Sequence, residues 1–392
     1  MTFTPLLSDF YGFEAQLTEP EKEALAGLRA WLEADVAPVV DEHWERAEFP
    51  RHLLPAFHAQ PVFGMQWDET TSFDNSALYR GWTALEMSRV DASISTYVGV
   101  QNGLAMGSIG VAGSAEQRAE WLPKLARGEV IGAFGLTEPL SGSDSARGLR
   151  TTATREGDEW VLNGAKRWIG NATFSDITVI WAKDTADGQV KGFIVPTSTP
   201  GYVATKIENK IALRMVQNAD ITLTDVRVPE ELRLQNANSF RDTAAVLRLT
   251  RAEVAWAAVG VSVGAFEAAL RYATEREQFG KPIASHQLIQ QHLANMMGNI
   301  TASIAMCTRV SLMLDEGTQK DEHAALAKAF ATTRMRETVA WARESMGGNG
   351  IVLGYGAARH FADAEALYSY EGTKEMNSLI VGRALTGVAA FV

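Results

Sequence analysis

The hydrophobic period of this chain changes twice, and few folds accept both changes. From residue 18 to about 130 the apolar side chains recur at helical spacing, with Leu25, Leu28, Leu32 and Val36 in one stripe. Thr18-Glu19-Pro20-Glu21 opens that zone with a capping hydroxyl, early acids and a proline in the first turn. Helices are also predicted over Ser76 to Ser88, Gly103 to Gly110 and Ala115 to Leu125. From about 131 to 236 the pattern becomes short alternating runs broken by turn residues. Asn163-Gly164, between Trp160-Val161-Leu162 and Lys166-Arg167-Trp168-Ile169, predicts a hairpin. Asp187-Gly188 predicts a second turn, between Ile177 to Trp181 and Gly192 to Val195. Ile221 to Val228 alternates in the same way.

Beyond about 240 the helical period returns. Val254, Ala258, Val261 and Ala265 mark one face of a long helix, on which Gly260 and Gly264 allow a close neighbour. Further helices are expected over about His286 to Leu314, Glu322 to Met346 and Gly372 to Val388. Four long helices suit a bundle. The reading is a mostly α chain with a central β domain: an N-terminal helical domain at 1–130, a small barrel or sandwich at 131–237, and a four-helix bundle at 238–392.

Composition removes several classes of function. A hydrophobic content of 46% over 392 residues is enough for large cores. The net charge of −11, with no dense basic patch, argues against a nucleic-acid partner. No uninterrupted apolar run reaches the ~20 residues a membrane span needs. Met1 to Phe13 carries one acid, Asp9, and no basic side chain, so neither a signal nor a transit peptide is read there. Ala390-Phe391-Val392 is not a peroxisomal address. A single cysteine, Cys307, sits in an apolar helical stretch and fits a reducing compartment. The expected location is the cytoplasm. The seven histidines are scattered without zinc spacing, so no metal site is expected. No Gly-x-Ser-x-Gly elbow, P-loop or Gly-x-Gly-x-x-Gly dinucleotide fingerprint is present.

Four segments carry candidate chemistry. Phe134 to Asp144 combines glycines, backbone donors and the hydroxyls of Thr137, Ser141 and Ser143, a loop able to bond the edge of a polar heterocycle or a phosphate. Arg276-Glu277-Gln278-Phe279-Gly280 sets a guanidinium beside an aromatic ring. Gly347-Gly348-Asn349-Gly350 permits close backbone approach, and equally serves as a helix C-cap. Tyr370-Glu371-Gly372-Thr373 sets one carboxylate between an aromatic and a glycine, just before a helix. A solvated acid at a helix N-terminus would look the same.

Together, and in this order, these segments resemble the acyl-CoA dehydrogenase and oxidase superfamily across nearly the whole chain. Within it the chain looks most similar to the glutaryl-CoA dehydrogenase branch, and Lys166 to Asn171 and Asn209 to Asn218 resemble the related plant short-chain acyl-CoA oxidases. The resemblance implies FAD as cofactor, an acyl-CoA substrate, and Glu371 as the base that removes its α-proton while hydride passes from the β-carbon to flavin N5. It implies cofactor contacts from Phe134, Leu136, Thr137, Ser143, Trp168, Ile169 and Thr373. It also implies that Arg276, Phe279, Gly347 and Gly348 reach the FAD of a neighbouring subunit, which makes the chain a homotetramer. Ser143, Arg251, Tyr370 and Gly372 are the implied substrate contacts. The implied electron acceptor is an electron-transfer flavoprotein, with O₂ as the alternative.

The chain departs from the family pattern at two positions. Gly170 stands where most members carry a threonine or serine hydroxyl, which keeps an oxidase reading open. Ser95 stands where glutaryl-CoA dehydrogenases carry an arginine, and a buried ω-carboxylate without a cation is costly. The expectation is therefore dehydrogenation of a plain short or medium acyl chain to trans-2-enoyl-CoA. The alternatives are an oxidase, a glutaryl-CoA dehydrogenase with or without decarboxylation, and a catalytically silent flavoprotein scaffold.

Overall fold

The computed structural model describes residues 3–390. Met1 and Thr2, and Phe391 and Val392 of the C-terminal tripeptide, lie outside the described residues. Thr18 caps helix Glu19–Trp31 with a full capping box, in which Glu21 Oε2 accepts from the Thr18 N–H at 2.8 Å. The other Glu21 oxygen accepts from Ser76 N and Ser76 Oγ, both at 2.7 Å, so the cap also holds the start of helix Ala77–Val90. Helix Ala92–Val98 continues through a wider π-type segment, Gly99–Met106, into Gly107–Ala112. Helix Ala115–Ala126 completes this zone.

The middle of the chain forms one seven-stranded sheet, β1 (Gly132–Gly135), β2 (Thr152–Glu156), β3 (Glu159–Ile169), β4 (Ile177–Asp184), β5 (Val190–Pro196), β6 (Tyr202–Lys206) and β7 (Ala219–Pro229). Its path runs β1-β4-β2-β3-β7-β6, with β5 paired to β4. β1 and β6 are the two ends of that path and do not pair, so the sheet curls without closing. Both faces of β4 are buried, whereas β2, β6 and β7 turn residues to solvent. Ile180 and Ala182 face an inner core with Phe193 and Ile221, while Val179 and Trp181 face the N-terminal helices.

The hairpin expected at Asn163-Gly164 is not there. These residues lie inside β3, which runs unbroken from Glu159 to Ile169. The hairpin turns instead at Gly157-Asp158, between β2 and β3. Gly164 (φ +149°) sits in a register shift against β7, and a Cβ there would lie 2.6 Å from Thr151 Oγ1. The glycine serves a bulge and a close approach, not a turn.

The C-terminal zone holds helices Phe240–Glu275, Gln287–Asp315, Asp321–Ser345 and Lys374–Thr386, and one more that the periodicity did not reveal, Ala357–Ser369. That helix turns Arg359, His360 and Asp363 inward, so its buried face does not read as apolar. Arg359 pairs with Asp91 at 2.6 Å and Asp41 at 3.1 Å. Asp363 accepts from Trp44 Nε1 at 3.0 Å and from the Leu213 N–H at 2.7 Å. One helix thereby ties all three zones together.

Helix Phe240–Glu275 is long and apolar enough, by composition, to cross a membrane. Yet 78% of its most apolar window is buried, and it forms the centre of the bundle. A Cβ at Gly260 would lie 2.2 Å from the Leu85 carbonyl oxygen, and one at Gly264 2.2 Å from that of Arg89. These glycines let the long helix touch Ala77–Val90 backbone to backbone. Gly260→Ala should therefore lower the unfolding free energy by about 1–3 kcal/mol through overpacking. Denaturant titration of the purified variant checks this, and an unchanged midpoint would contradict it.

Candidate active site

The three zones meet around a cavity of about 840 Å³, within the size range of small-molecule sites. Glu371 lines it from the turn between helices Ala357–Ser369 and Lys374–Thr386. Its backbone is left-handed (φ +53°), an uncommon state for a residue with a Cβ, and Gly372 follows at φ +83°. Lys328, buried on helix Asp321–Ser345, holds this turn by donating to the carbonyls of Tyr370 and Gly372, on either side of Glu371. Thr373 caps the next helix, its hydroxyl accepting from the Met376 N–H at 3.3 Å.

Thr250 Oγ1 donates to Glu371 Oε2 at 2.8 Å. Burial pushes the Glu371 carboxyl above its ordinary range, against the Thr250 hydrogen bond and the charges of Lys328 and Arg251. The same burial lowers Lys328 to about 8, with Glu371 opposing and Arg251 adding to the shift. Arg251 also lines the cavity, and burial lowers its guanidinium as well. A carboxyl in this setting binds a proton more tightly than one in water, as a general base acting on a weak acid must.

The opposite wall comes from the sheet. A second register shift in β3, between Lys166 and Ile169, coincides with Trp168 at φ +65°. The bulge turns Trp168 outward, 51% exposed and lining the cavity, while Ile169 beside it is buried. Phe134, Leu136, Thr137 and Ser143 line the same wall. Lys166 supports it from behind: its buried Nζ donates to Leu136 O at 3.1 Å, Trp181 O at 2.7 Å and Glu138 Oε1 at 2.9 Å. Glu138 also accepts from the Arg150 and Thr151 N–H groups, at 2.7 and 2.9 Å. A broad ring system fits this wall, between the open face of Trp168 and the polar edge at Thr137 and Ser143.

The cavity thus collects Phe134, Leu136, Thr137, Ser143, Trp168, Ile169, Arg251 and the whole Tyr370–Thr373 turn. Arg276, Phe279, Gly347 and Gly348 are elsewhere. Arg276 follows helix Phe240–Glu275, on the order of 40 Å along its axis from Thr250 at 1.5 Å per residue. Phe279 stands 92% exposed between β8 (Glu277–Gln278) and β9 (Lys281–Pro282). Gly347 and Gly348 are exposed near the same end, where Asn349 Nδ2 donates to Tyr272 Oη at 2.9 Å. These four residues form a second, outward-facing group.

Four charged groups at or beside the cavity escaped the sequence reading: Lys328, Arg80, Glu253 and Glu365. Lys328 left a trace, as a lone lysine inside Ala324-Ala325-Leu326-Ala327-Lys328-Ala329. Arg80 and Glu253 left none. Arg89, by contrast, is spent in ion pairs with Glu86, Glu267 and Glu33, at 3.0, 3.0 and 2.8 Å. Cys307 is buried among apolar side chains, which pushes its thiol up and away from reactivity. Among the described residues, no group of three or more His, Cys, Asp or Glu could hold a metal ion.

Models of the acyl-CoA dehydrogenase N-terminal, middle and C-terminal domains match residues 18–129, 133–226 and 240–386. The mitochondrial short-chain specific acyl-CoA dehydrogenase of Homo sapiens is 35% identical over 376 residues, covering 93% of this chain and 90% of that protein. The crystal structure of a glutaryl-CoA dehydrogenase from Mycobacterium smegmatis superposes with a TM-score of 0.94 at 37% identity, covering 98% of this chain and 99% of the other. A glutaryl-CoA dehydrogenase structure from the same organism, in complex with FADH2, gives a TM-score of 0.94 at 34% identity, covering 98% of each chain.

Proposed function

The chain belongs to the acyl-CoA dehydrogenase family of FAD-dependent oxidoreductases, and from that premise we propose that it oxidises a short- or medium-chain acyl-CoA to trans-2-enoyl-CoA with Glu371 as the base. One observation carries this reading: a carboxylate held in a left-handed turn, raised by burial, and bonded by Thr250 in a cavity of substrate size. Bound FAD supplies the acceptor for the hydride that leaves the β-carbon.

Phe134, Leu136, Thr137, Ser143, Trp168, Ile169 and Thr373 hold that cofactor, and Ser143, Arg251, Tyr370 and Gly372 contact the substrate. Glu371 takes the α-proton. Its raised proton affinity narrows the gap to a weakly acidic C–H, and the backbone N–H of Glu371 itself is the donor expected to polarise the thioester carbonyl. Lys328 and Arg251 favour the ionised form of that carboxyl, against the burial that raises it. The outward group of Arg276, Phe279, Gly347 and Gly348 serves the cofactor of a neighbouring subunit in a homotetramer. Electrons pass to an electron-transfer flavoprotein, and the enzyme works in the cytoplasm.

Turnover of butyryl-, hexanoyl-, isobutyryl- and glutaryl-CoA with electron-transfer flavoprotein as acceptor tests the proposal. At least one should yield its enoyl product, and no enoyl product from any of them would overturn it. A second reading, an oxidase, is favoured by Gly170, which lines the cavity and whose Cβ position lies 2.9 Å from Val100 Cγ2. Gly170→Thr combined with Val100→Ala, which makes room for the new side chain, should slow reoxidation of the reduced enzyme by air severalfold. An unchanged rate would remove Gly170 from control of oxygen access.

A further inference from the structure

Two charged side chains line the cavity without, among the described residues, a protein partner suited to their charge. Glu253 stands on the long helix one turn beyond Thr250, so it lies within about 5–6 Å of the residue that bonds the base. No protein donor, among the described residues, bonds its carboxylate. Gly103 makes room for it: a Cβ there would lie 3.0 Å from Glu253 Oε2 and 2.9 Å from Thr250 Cγ2. Arg80 reaches the same cavity from helix Ala77–Val90. Its Nη1 donates to Asn75 Oδ1 at 2.8 Å and more weakly to Asn75 O at 3.4 Å, and among the described residues no carboxylate pairs with it. Arg80 also lines a separate crevice of about 150 Å³, and so stands between the two. The two groups attract each other without meeting in an ion pair.

We propose that this end of the cavity binds a hydroxyl carried on the acyl chain, which donates to Glu253 and accepts from Arg80, so that the preferred substrate is a hydroxyacyl-CoA. The proposal rests on the acyl-CoA reading above and replaces the plain tail expected from Ser95. A plain alkyl tail would strip water from an unpaired carboxylate and an unpaired guanidinium and return nothing. A tail carboxylate would bring a third anion beside Glu253 and Glu371. With Glu253 ionised, Arg80 and Glu253 sum to zero charge, and a neutral group that both donates and accepts complements them. Burial, with Glu371 adding to it, lifts Glu253 to about 7, so near neutrality this carboxyl can accept from a hydroxyl or donate to it.

The test compares kcat/KM for hexanoyl-, ω-hydroxyhexanoyl- and adipyl-CoA, repeated at the four-carbon length. The hydroxyacyl thioester should exceed its plain counterpart by about tenfold or more at one of the lengths, because a site built to bond a hydroxyl rejects the analogue without it. Glu253→Leu and Arg80→Met should each collapse that ratio toward one or invert it, a change that general loosening of the fold would not produce. Equal or better turnover of the plain chain by the unaltered enzyme would overturn the proposal. So would a preference for adipyl-CoA, or a ratio untouched in both variants. Failure with every thioester would overturn the acyl-CoA reading itself.

Discussion

Glu371→Gln should leave FAD bound and acyl-CoA affinity nearly unchanged while the rate of flavin reduction falls by about 10³-fold or more, near the upper range of general-base effects. The amide has the size of the carboxyl and still accepts from the Thr250 hydroxyl, so the turn keeps its shape. What it lacks is proton affinity. The pH profile adds a second readout. A raised carboxyl is protonated over a wider acid range, so the unaltered enzyme should lose rate on the acid side of a midpoint above the ordinary ~4.3 of a glutamate. The residual rate of the variant should show no such limb. Anaerobic stopped-flow over a pH series measures both. A variant that reduces its flavin at a near-normal rate would remove Glu371 from the chemistry.

Lys328→Met should also be damaging, by about a tenth as much in rate, although Lys328 touches no reacting atom. Its ammonium satisfies the Tyr370 carbonyl and shares that of Gly372 with Asn377 Nδ2, which donates to it at 2.9 Å; an unsatisfied buried carbonyl costs about 1–3 kcal/mol. Stability should therefore drop by about 1–3 kcal/mol, and the strained turn around Glu371 loses its clamp. A base displaced by about 1 Å costs on the order of 10²-fold in rate. The distinguishing readout is again the acid limb. Lys328 and Arg251 favour the charged form of Glu371, whereas Glu253 is a neighbouring carboxyl that does not. Loss of the Lys328 charge should move the limb to higher pH, an effect that loosened packing alone would not give. Lys328→Gln, which keeps a donor for one carbonyl, should recover part of the rate but not the position of the limb. A Lys328→Met enzyme with unchanged rate and unchanged limb would contradict the assigned role.

The parts of this molecule that were legible in its sequence are those governed by local rules. The capping box at Thr18 and the switch between helical and alternating periods each depend on residues near one another in the chain, and so does the spacing of Gly260 and Gly264, although the helix these glycines admit, Ala77–Val90, is distant in sequence. The Phe134–Asp144 loop and the Tyr370–Thr373 turn were legible through resemblance, and the structure brings them to one cavity from opposite sides. Asn163-Gly164 misled because the dipeptide also serves a bulge, and only the Thr151 backbone across the strand decides between the two. Helix Ala357–Ser369 was hidden because its inward face carries Arg359, His360 and Asp363, and the partners of Arg359 and Asp363 come from residues 41, 44, 91 and 213. Lys328, Arg80 and Glu253 were hidden for the same reason. A charged residue inside a helix reads as a solvated face until the fold shows what surrounds it.

The most direct test is anaerobic mixing of the purified FAD-containing protein with the short acyl-CoAs above and ω-hydroxyhexanoyl-CoA, followed by flavin absorbance. The account predicts rapid bleaching with at least one of them, persisting until electron-transfer flavoprotein is added. Flavin that stays oxidised with every thioester, while FAD remains bound, would contradict it.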